Sequence, residues 1–256
     1  MMRFTDIHAH FVYGVDDGAQ TIEDMKAMLD AANANSIAFL FATSHVTPGL
    51  RRFDHETYIE HFHEAEQYVA EQNYPLTLFT GAELLYTPAI QRPAETHTLP
   101  TYGNSDTVLL EFSPSIEFKE IWQAVELMEI SGYTTVLAHV ERYEALFRGK
   151  SAEKLKQNYD IYYQINCSTI THGCGSYFRN RKLNNWFDEM LIDAVASDAH
   201  DCKHRAFHMK RAYKELKQKY GQREARRLTC APLEILGLPV IRDDVKDAEG
   251  PLSEER

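Results

Sequence analysis

Two histidines stand two residues apart in Asp6-Ile7-His8-Ala9-His10, and Asp198-Ala199-His200 repeats that spacing near the far end of the chain. Residues two apart in an extended segment project from the same side, so each pair can offer two donor atoms to one cation. One such pair is a weak signal, because any single one of the 12 histidines is more often a solvated or a satisfied core residue. The joint pattern is stronger. His8 and His10, His45, Glu83, Glu111, His139, and Asp198 with His200 all stand at the ends of short apolar runs that read as strands. Glu83 and Glu111 each close a run that should be buried, and a buried carboxylate needs a cation or a donor to offset its lost hydration. Asp17, in Val15-Asp16-Asp17-Gly18, suits an ordinary turn acid as well as a ligand. Imidazoles and carboxylates without thiolate favour Mn, Fe or Zn over Ca or a zinc–sulfur site. Arg142 follows His139 closely and Arg205 follows His200, so both are placed either to grip a phosphoryl group or to form surface ion pairs. His55, His61, His63, His97, His172, His204 and His208 read as solvated or helix-surface residues without a role.

Groups so far apart in sequence meet only if the strands that carry them end on one face. Strand-like runs at 4–8, 37–43, 76–80, 107–112, 134–138, 161–166 and 192–197 alternate with helical ones at 22–34, 54–73, 116–130, 152–158, 179–190, 205–220 and 222–228. The first helix is signalled by Thr21 with Asp24 three residues on, a capping-box pattern, and by apolar Ile22, Met25, Met28 and Leu29 at helical spacing. The alternation predicts an α/β fold, a (β/α)7 TIM-like barrel whose strand C-termini converge on a polynuclear metal site. One domain should span 1–240, and the charged stretch 241–256, with little to bury, reads as a flexible tail.

Composition narrows the function. The 256 residues carry 27 basic and 38 acidic side chains, a net charge of −11, which speaks against general nucleic-acid binding. No apolar stretch approaches the length of a membrane span, and no targeting segment is evident, so a cytoplasmic, non-inserted protein is expected. Cys167, Cys174, Cys202 and Cys230 lack paired spacing and should be reduced. None begins the C-x5-R loop of a cysteine phosphatase: the sixth residue onward is Gly173, Asn180, His208 and Leu236 in turn. A G-x-S-x-G elbow and a Walker loop are also missing from the sequence.

The segments Asp6-Ile7-His8-Ala9-His10, Val15-Asp16-Asp17-Gly18, Thr43-Ser44-His45, Gly81-Ala82-Glu83, Leu110-Glu111-Phe112, His139-Val140-Glu141-Arg142-Tyr143 and Ser197-Asp198-Ala199-His200 resemble the PHP superfamily, named for polymerase and histidinol phosphatase. Within it they are most similar to the metal-dependent tyrosine-protein phosphatases of bacterial capsule and exopolysaccharide operons. The similarity runs in order from Asp6 to about Leu236. It departs at Cys230-Ala231-Pro232, where the family often has Asn-Pro, and in the loop 46–52.

The resemblance implies a distorted seven-stranded barrel holding three divalent ions, Mn first, with Fe or Zn as alternatives. One ion would lie among His8, His10, Glu83 and Asp198, a second among Glu83, Glu111 and His139, and a third among Asp17, His45 and His200. Arg142 and Arg205 match the family's phosphate-binding arginines, and either Asp198 or a metal-bound histidine would be the group to assist the reaction. The implied chemistry is direct hydrolysis of phosphotyrosine by activated water, without a covalent intermediate. The implied partner is the phosphotyrosine-bearing tail of a bacterial tyrosine autokinase. Two rivals use the same residues: a small-molecule phosphatase such as one acting on histidinol phosphate, and a silent regulatory domain that binds metal without turnover.

Overall fold

The computed structural model describes residues 2–49, 53–230 and 232–236; the tail 241–256 and part of the loop 46–52 lie outside the described residues. The chain order is β1 (Phe4–Ala9), α1 (Ile22–Ala34), β2 (Ile37–Ala42), β3 (His45–Val46), α2 (His55–Glu71), β4 (Thr77–Thr80), β5 (Glu83–Leu85), α3 (Gln91–Glu95), β6 (Thr107–Glu111) and α4 (Phe118–Ile130). It continues through β7 (Thr134–Leu137), α5 (Glu144–Phe147), α6 (Ser151–Asn158), β8 (Ile161–Asn166), α7 (Cys167–His172), α8 (Tyr177–Asp188), β9 (Ala194–Ala196), α9 (Met209–Tyr220), α10 (Gln222–Cys230) and α11 (Pro232–Ile235). No helix among the described residues is long and apolar enough to cross a membrane. All four cysteines are free thiols.

Every strand pair is parallel, in one sheet of order β1-β2-β4 and another of order β3-β5-β6-β7-β8-β9. Parallel strands are covered on both faces, which is why β2 (IAFLFA) and β6 (TVLLE) read as apolar runs rather than alternating ones. The α/β expectation holds, but the strand count differs: the described residues form nine segments, not seven. The second and third predicted runs appear as β2 and β4, and each is separated by a break, at Thr43-Ser44 or at Gly81-Ala82, from a further short strand beyond the predicted run, β3 or β5. The cause is a buried phenol. The Tyr58 hydroxyl donates between the carbonyls of Ala42 (2.9 Å) and Gly81 (3.1 Å) and accepts from Gly81 N (3.2 Å), supplying the partners a continuous ladder would need. A side chain at Gly81 would crowd Ala42 O and the Tyr102 ring, each 3.3 Å from a Cβ there.

The two sheets meet at a parallel bridge between Ala9 and Ala199, with Asp198 N donating to His8 O (2.8 Å) and His10 N to Ala199 O (2.8 Å). Ile7, Phe41, Leu109, Val136 and Ala196 form an apolar cluster inside the strands, where the Tyr102 hydroxyl donates to Ile7 O (2.9 Å). The larger core lies between strands and helices. In α1 the capping box forms as expected and Met25, Met28, Leu29 and Ala32 are buried, each large side chain contributing about 1.5–3 kcal/mol over exposure.

Several element ends shift. The helix expected from 205 begins at Met209, because the Asp201 carboxylate accepts from the amides of Lys203, His204 and Arg205 and winds that stretch into a turn. The last strand shrinks to β9, and α8 starts at Tyr177 behind a Ser176 cap. Short α3, α5, α7 and α11 carry too few residues for a periodic signal.

Candidate metal centre

β1 ends at the centre of the site. His8 and His10 are fully buried, with their Nε2 atoms 3.2 Å apart. Gly18 makes room for this turn of chain, since a Cβ there would lie 2.1 Å from His10 O. Glu83, the first residue of β5, points between four imidazoles. Its Oε2 lies 3.2 Å from His8 Nε2, 3.3 Å from His10 Nε2 and 3.1 Å from His45 Nδ1, and its Oε1 lies 2.8 Å from His139 Nε2. Asp198 Oδ1 is 3.4 Å from His8 Nε2, and Glu111 is 3.4 Å from His139 Nε2 and 3.7 Å from His45 Nδ1. On the outer side, Asp17 Oδ1 is 3.2 Å from His45 Nε2 and 3.4 Å from His200 Nε2. All nine residues singled out in the sequence therefore converge.

Eight of them form three overlapping groups whose donor atoms lie within 4.8 Å of one another: His8, His10, Glu83 and Asp198; His45, Glu83 and Glu111; and His10, Asp17, His45 and His200. The first is the implied set. The second contains His45 in place of His139, although His139 remains in contact with both carboxylates, and the third adds His10.

The donor chemistry fits divalent cations. Glu83 Oε2 and His200 Nε2 are buried without a hydrogen-bond partner among the described residues, and the facing lone pairs of His8 and His10 require a proton or a cation between them. Burial would raise the Glu83 carboxyl, yet the charge of His8, the nearby His10 imidazole and the hydrogen bond from His139 hold it well below its ordinary range. Burial likewise opposes charge on His10, but its bonds to Asp16 and Glu83 push it up to about 10. The same contest, with Glu111 and Glu83 as partners, raises His139 to about 9. His200, buried beside the positive His10, is lowered to about 3. The acids thus gather positive charge around themselves, and a bound divalent ion takes the place of such protons.

Three positioning residues escaped the sequence reading. Asp16 accepts from His10 Nδ1 (2.8 Å) and from His45 N (3.0 Å), fixing one ring and the backbone of another ligand candidate. Gln164 Oε1 lies 3.2 Å from His8 Nδ1 and accepts from His139 N (2.8 Å), while Asn166 donates to Asp198 Oδ2 (2.7 Å). β8, which matches the sixth predicted run (161–166) and lacks an ionisable end residue, supplies these two amides instead. Their signal was present in Ile161-Tyr-Tyr-Gln-Ile-Asn166, two amides at alternate positions of a buried strand.

His139 and Asp198, at the ends of β7 and β9, adopt positive φ values of 29° and 53°. Such backbone in non-glycine residues is costly and is held only where surrounding contacts dictate it. Arg142 Nη2 reaches Asp198 Oδ2 (2.6 Å) and Arg205 Nη2 reaches Asp198 Oδ1 (2.9 Å), with Arg205 Nη1 3.6 Å from Asp17. Both arginines are about two-fifths exposed, at 38% and 39%, so each has donors free on the open side. The histidines assigned no role stay out of the donor groups; His61, for instance, stacks on Tyr13 at 3.6 Å.

The family described as capsular polysaccharide synthesis, CpsB/CapC, matches residues 4–236. The chain belongs to this family. It is 30% identical over 227 residues to the tyrosine-protein phosphatase CpsB of Streptococcus pneumoniae, covering 87% of this chain and 93% of that protein. It is 25% identical over 224 residues to the tyrosine-protein phosphatase YwqE of Bacillus subtilis, covering 84% and 85%. Crystal structures described as those of YwqE and CpsB, metal-dependent tyrosine phosphatases, superpose with a TM-score of 0.80 at 25% identity, over 91% of this chain and 93% of theirs. A histidinol phosphate phosphatase from Lactococcus lactis, solved with zinc, shares the fold with a TM-score of 0.52 at 15% identity, over 86% of this chain and 94% of its own.

Proposed function

We propose that this member of the CpsB/CapC family is a metal-dependent protein-tyrosine phosphatase acting in capsule or exopolysaccharide synthesis. The observation that carries the reading is Glu83, shared by two of three donor groups, with two arginines standing on the open side of the same cluster. The names of the relatives support it.

Three divalent ions, Mn before Fe or Zn, would be held by His8, His10, Glu83 and Asp198, by Glu83, Glu111 and His139 with His45 in reach, and by Asp17, His45 and His200. When bound they supply charge to the phosphoryl oxygens and lower the pKa of water. Arg142 and Arg205 bind and orient the phosphoryl group, each through donors not occupied by Asp198. Asp198 steadies both guanidiniums. His8, Arg142 and His10 outweigh its burial and the nearby Glu83 charge, and keep it ionised, which suits it to this work rather than to donating a proton. The leaving phenolate, with a pKa of about 10, needs less protonation than an alkoxide.

The strand connections support a single closed, distorted barrel: β3 continues β2, β5 continues β4, and the Ala9–Ala199 bridge joins β1 to the β9 end. We read it as one domain over 1–240, cytoplasmic, and acting on the phosphotyrosine-bearing tail of a bacterial tyrosine autokinase. Elemental analysis of the purified protein, coupled to assays on a phosphotyrosine peptide and on histidinol phosphate, tests the proposal. Bound divalent metal with preferred turnover of the peptide is expected. Preference for histidinol phosphate, or metal without turnover, overturns it.

A further inference from the structure

Beside Arg142 the open face continues into a pocket of about 310 Å³ that runs past Asn166 and Ser168 to Cys174 and Arg179. Its one carboxylate, Glu141, is buried and turned inward, where Oε1 accepts from Asn166 N (2.9 Å) and Thr169 Oγ1 (3.0 Å). The charges this pocket presents outward are therefore guanidiniums. Arg179 is fixed there, donating to Glu141 O and lying 4.6 Å over the Phe147 ring.

A turn at 173–176 bounds the pocket, pinned where Cys174 N donates to Asn180 Oδ1 (2.8 Å). Across it lies a larger cavity of about 960 Å³ that shares Thr169 with the first. Arg211, Lys214 and Lys219 of α9 line it, against a single carboxylate, Glu215, which is paired to Arg211 at 3.2 Å. Lys214 forms no ion pair among the described residues. At the start of α8, beside this turn, Tyr177 and Phe178 are 75% and 80% exposed, with ring centroids 5.8 Å apart. Scattered exposed apolar residues are ordinary, but two adjacent aromatics next to a groove are not.

A cationic path leading away from the phosphoryl arginines is unexpected on a chain of net charge −11. We infer that Arg179, Lys214 and Lys219, with Tyr177 and Phe178, form a docking track for an acidic, carboxylate-bearing peptide segment flanking the phosphotyrosine. The inference rests on the phosphatase reading and deepens it by naming a substrate preference. Complementary charge at a groove raises local substrate concentration and encounter rate, so its effect falls on KM and fades with salt.

The test uses the metal-loaded protein with two phosphotyrosine peptides, one flanked by Asp and Glu and one by Asn and Gln, and with p-nitrophenyl phosphate. The acidic peptide should show a KM lower by about 10-fold, a preference lost in high salt and in the double variant Lys214→Glu, Lys219→Glu. That variant should leave p-nitrophenyl phosphate turnover at the parental rate. Arg179→Gln should weaken binding of a non-hydrolysable phosphonate version of the acidic peptide, read by fluorescence anisotropy, more than that of the neutral one. Equal KM for both peptides, or a preference that survives the double variant, overturns the track while leaving the phosphatase intact. Failure of the parental protein on all three substrates overturns both readings.

Discussion

An aspartate flanks each end of β9, partly buried at Asp193 and buried at Asp198, and the two have opposite fates. Asp193, just before the strand, takes Lys156 Nζ at 2.6 Å and the Tyr163 amide at 2.7 Å. Asp198, just after it, takes Arg142 at 2.6 Å, Asn166 at 2.7 Å and Arg205 at 2.9 Å, with His8 at 3.4 Å. Burial dominates at Asp193 and leaves its carboxyl raised despite Lys156. At Asp198 burial pulls the same way but is overcome, and the carboxyl is lowered. One cation and one amide satisfy a structural acid. Convergent positive charge beyond that need marks the face to which we assign the proposed chemistry, in keeping with the division of labour between the two ends of parallel βα strands.

The largest expected break comes at Glu83. Glu83→Gln removes the charge that faces His8, His10, His45 and His139, so metal content should fall and activity drop by roughly 10²–10³-fold or more. Elemental analysis alongside turnover checks this, and parental activity at unchanged metal content defeats the bridging role. Next come the arginines. Arg142→Ala or Arg205→Ala should cost about 10²-fold in kcat/KM with metal content and folding retained, and Lys should recover little because it lacks the two-pronged geometry. If both alanine variants keep parental kcat/KM on a phosphotyrosine peptide, the two are surface residues.

Asp16→Asn is a milder break of the same face. It keeps an acceptor for His45 N but loses the charge behind His10, and metal affinity should fall by roughly 10–100-fold while the fold persists. Titration of the apo-protein with Mn reads this directly, and unaltered affinity would show that Asp16 positions nothing. At the structural end, Lys156→Met should leave turnover at the parental level and cost about 1–3 kcal/mol of stability, since the pair is only 18% and 13% exposed. A urea unfolding midpoint that does not move, or a loss of turnover, contradicts the division between the two ends.

The residues that could be found in sequence are those that break an apolar run with charge. Glu83 and Glu111 were visible because each ends such a run, and His8, His10 and Asp198 because of their two-residue spacing. Gln164 and Asn166 left only the weaker trace of two uncharged amides in a buried run and Asp16 stands beside a more obvious acid, while the role of each is set by contacts 25 or more residues away in sequence. The broken second and third strands were invisible for a similar reason. Their interruption depends on the Tyr58 hydroxyl, delivered by a helix, and no local propensity encodes it.

The smallest effect lies in pH dependence, where the two aspartates should differ in sign. Burial raises the Asp193 carboxyl above 3.8 in the folded protein, with Lys156 and the Tyr163 amide opposing. Between 3.8 and the folded value the native state binds more protons than the unfolded chain, so the free energy of unfolding falls as pH rises. The stabilisation from this group is fully present below 3.8 and lost as pH climbs through the folded value. Asp198 runs the other way: lowered in the fold, it contributes above 3.8 and loses that contribution as pH falls. Whole-protein profiles mix many groups, and the difference between parent and variant isolates one. Asp193→Asn leaves Lys156 its bond to Leu191 O (3.0 Å), so the variant should show a roughly constant offset of about 1 kcal/mol together with a shallower decline from acid toward neutral pH. Urea midpoints measured across that range give the slope. A variant that declines as steeply as the parent would show that Asp193 is ionised throughout and that the two ends of β9 do not differ in the way their surroundings require.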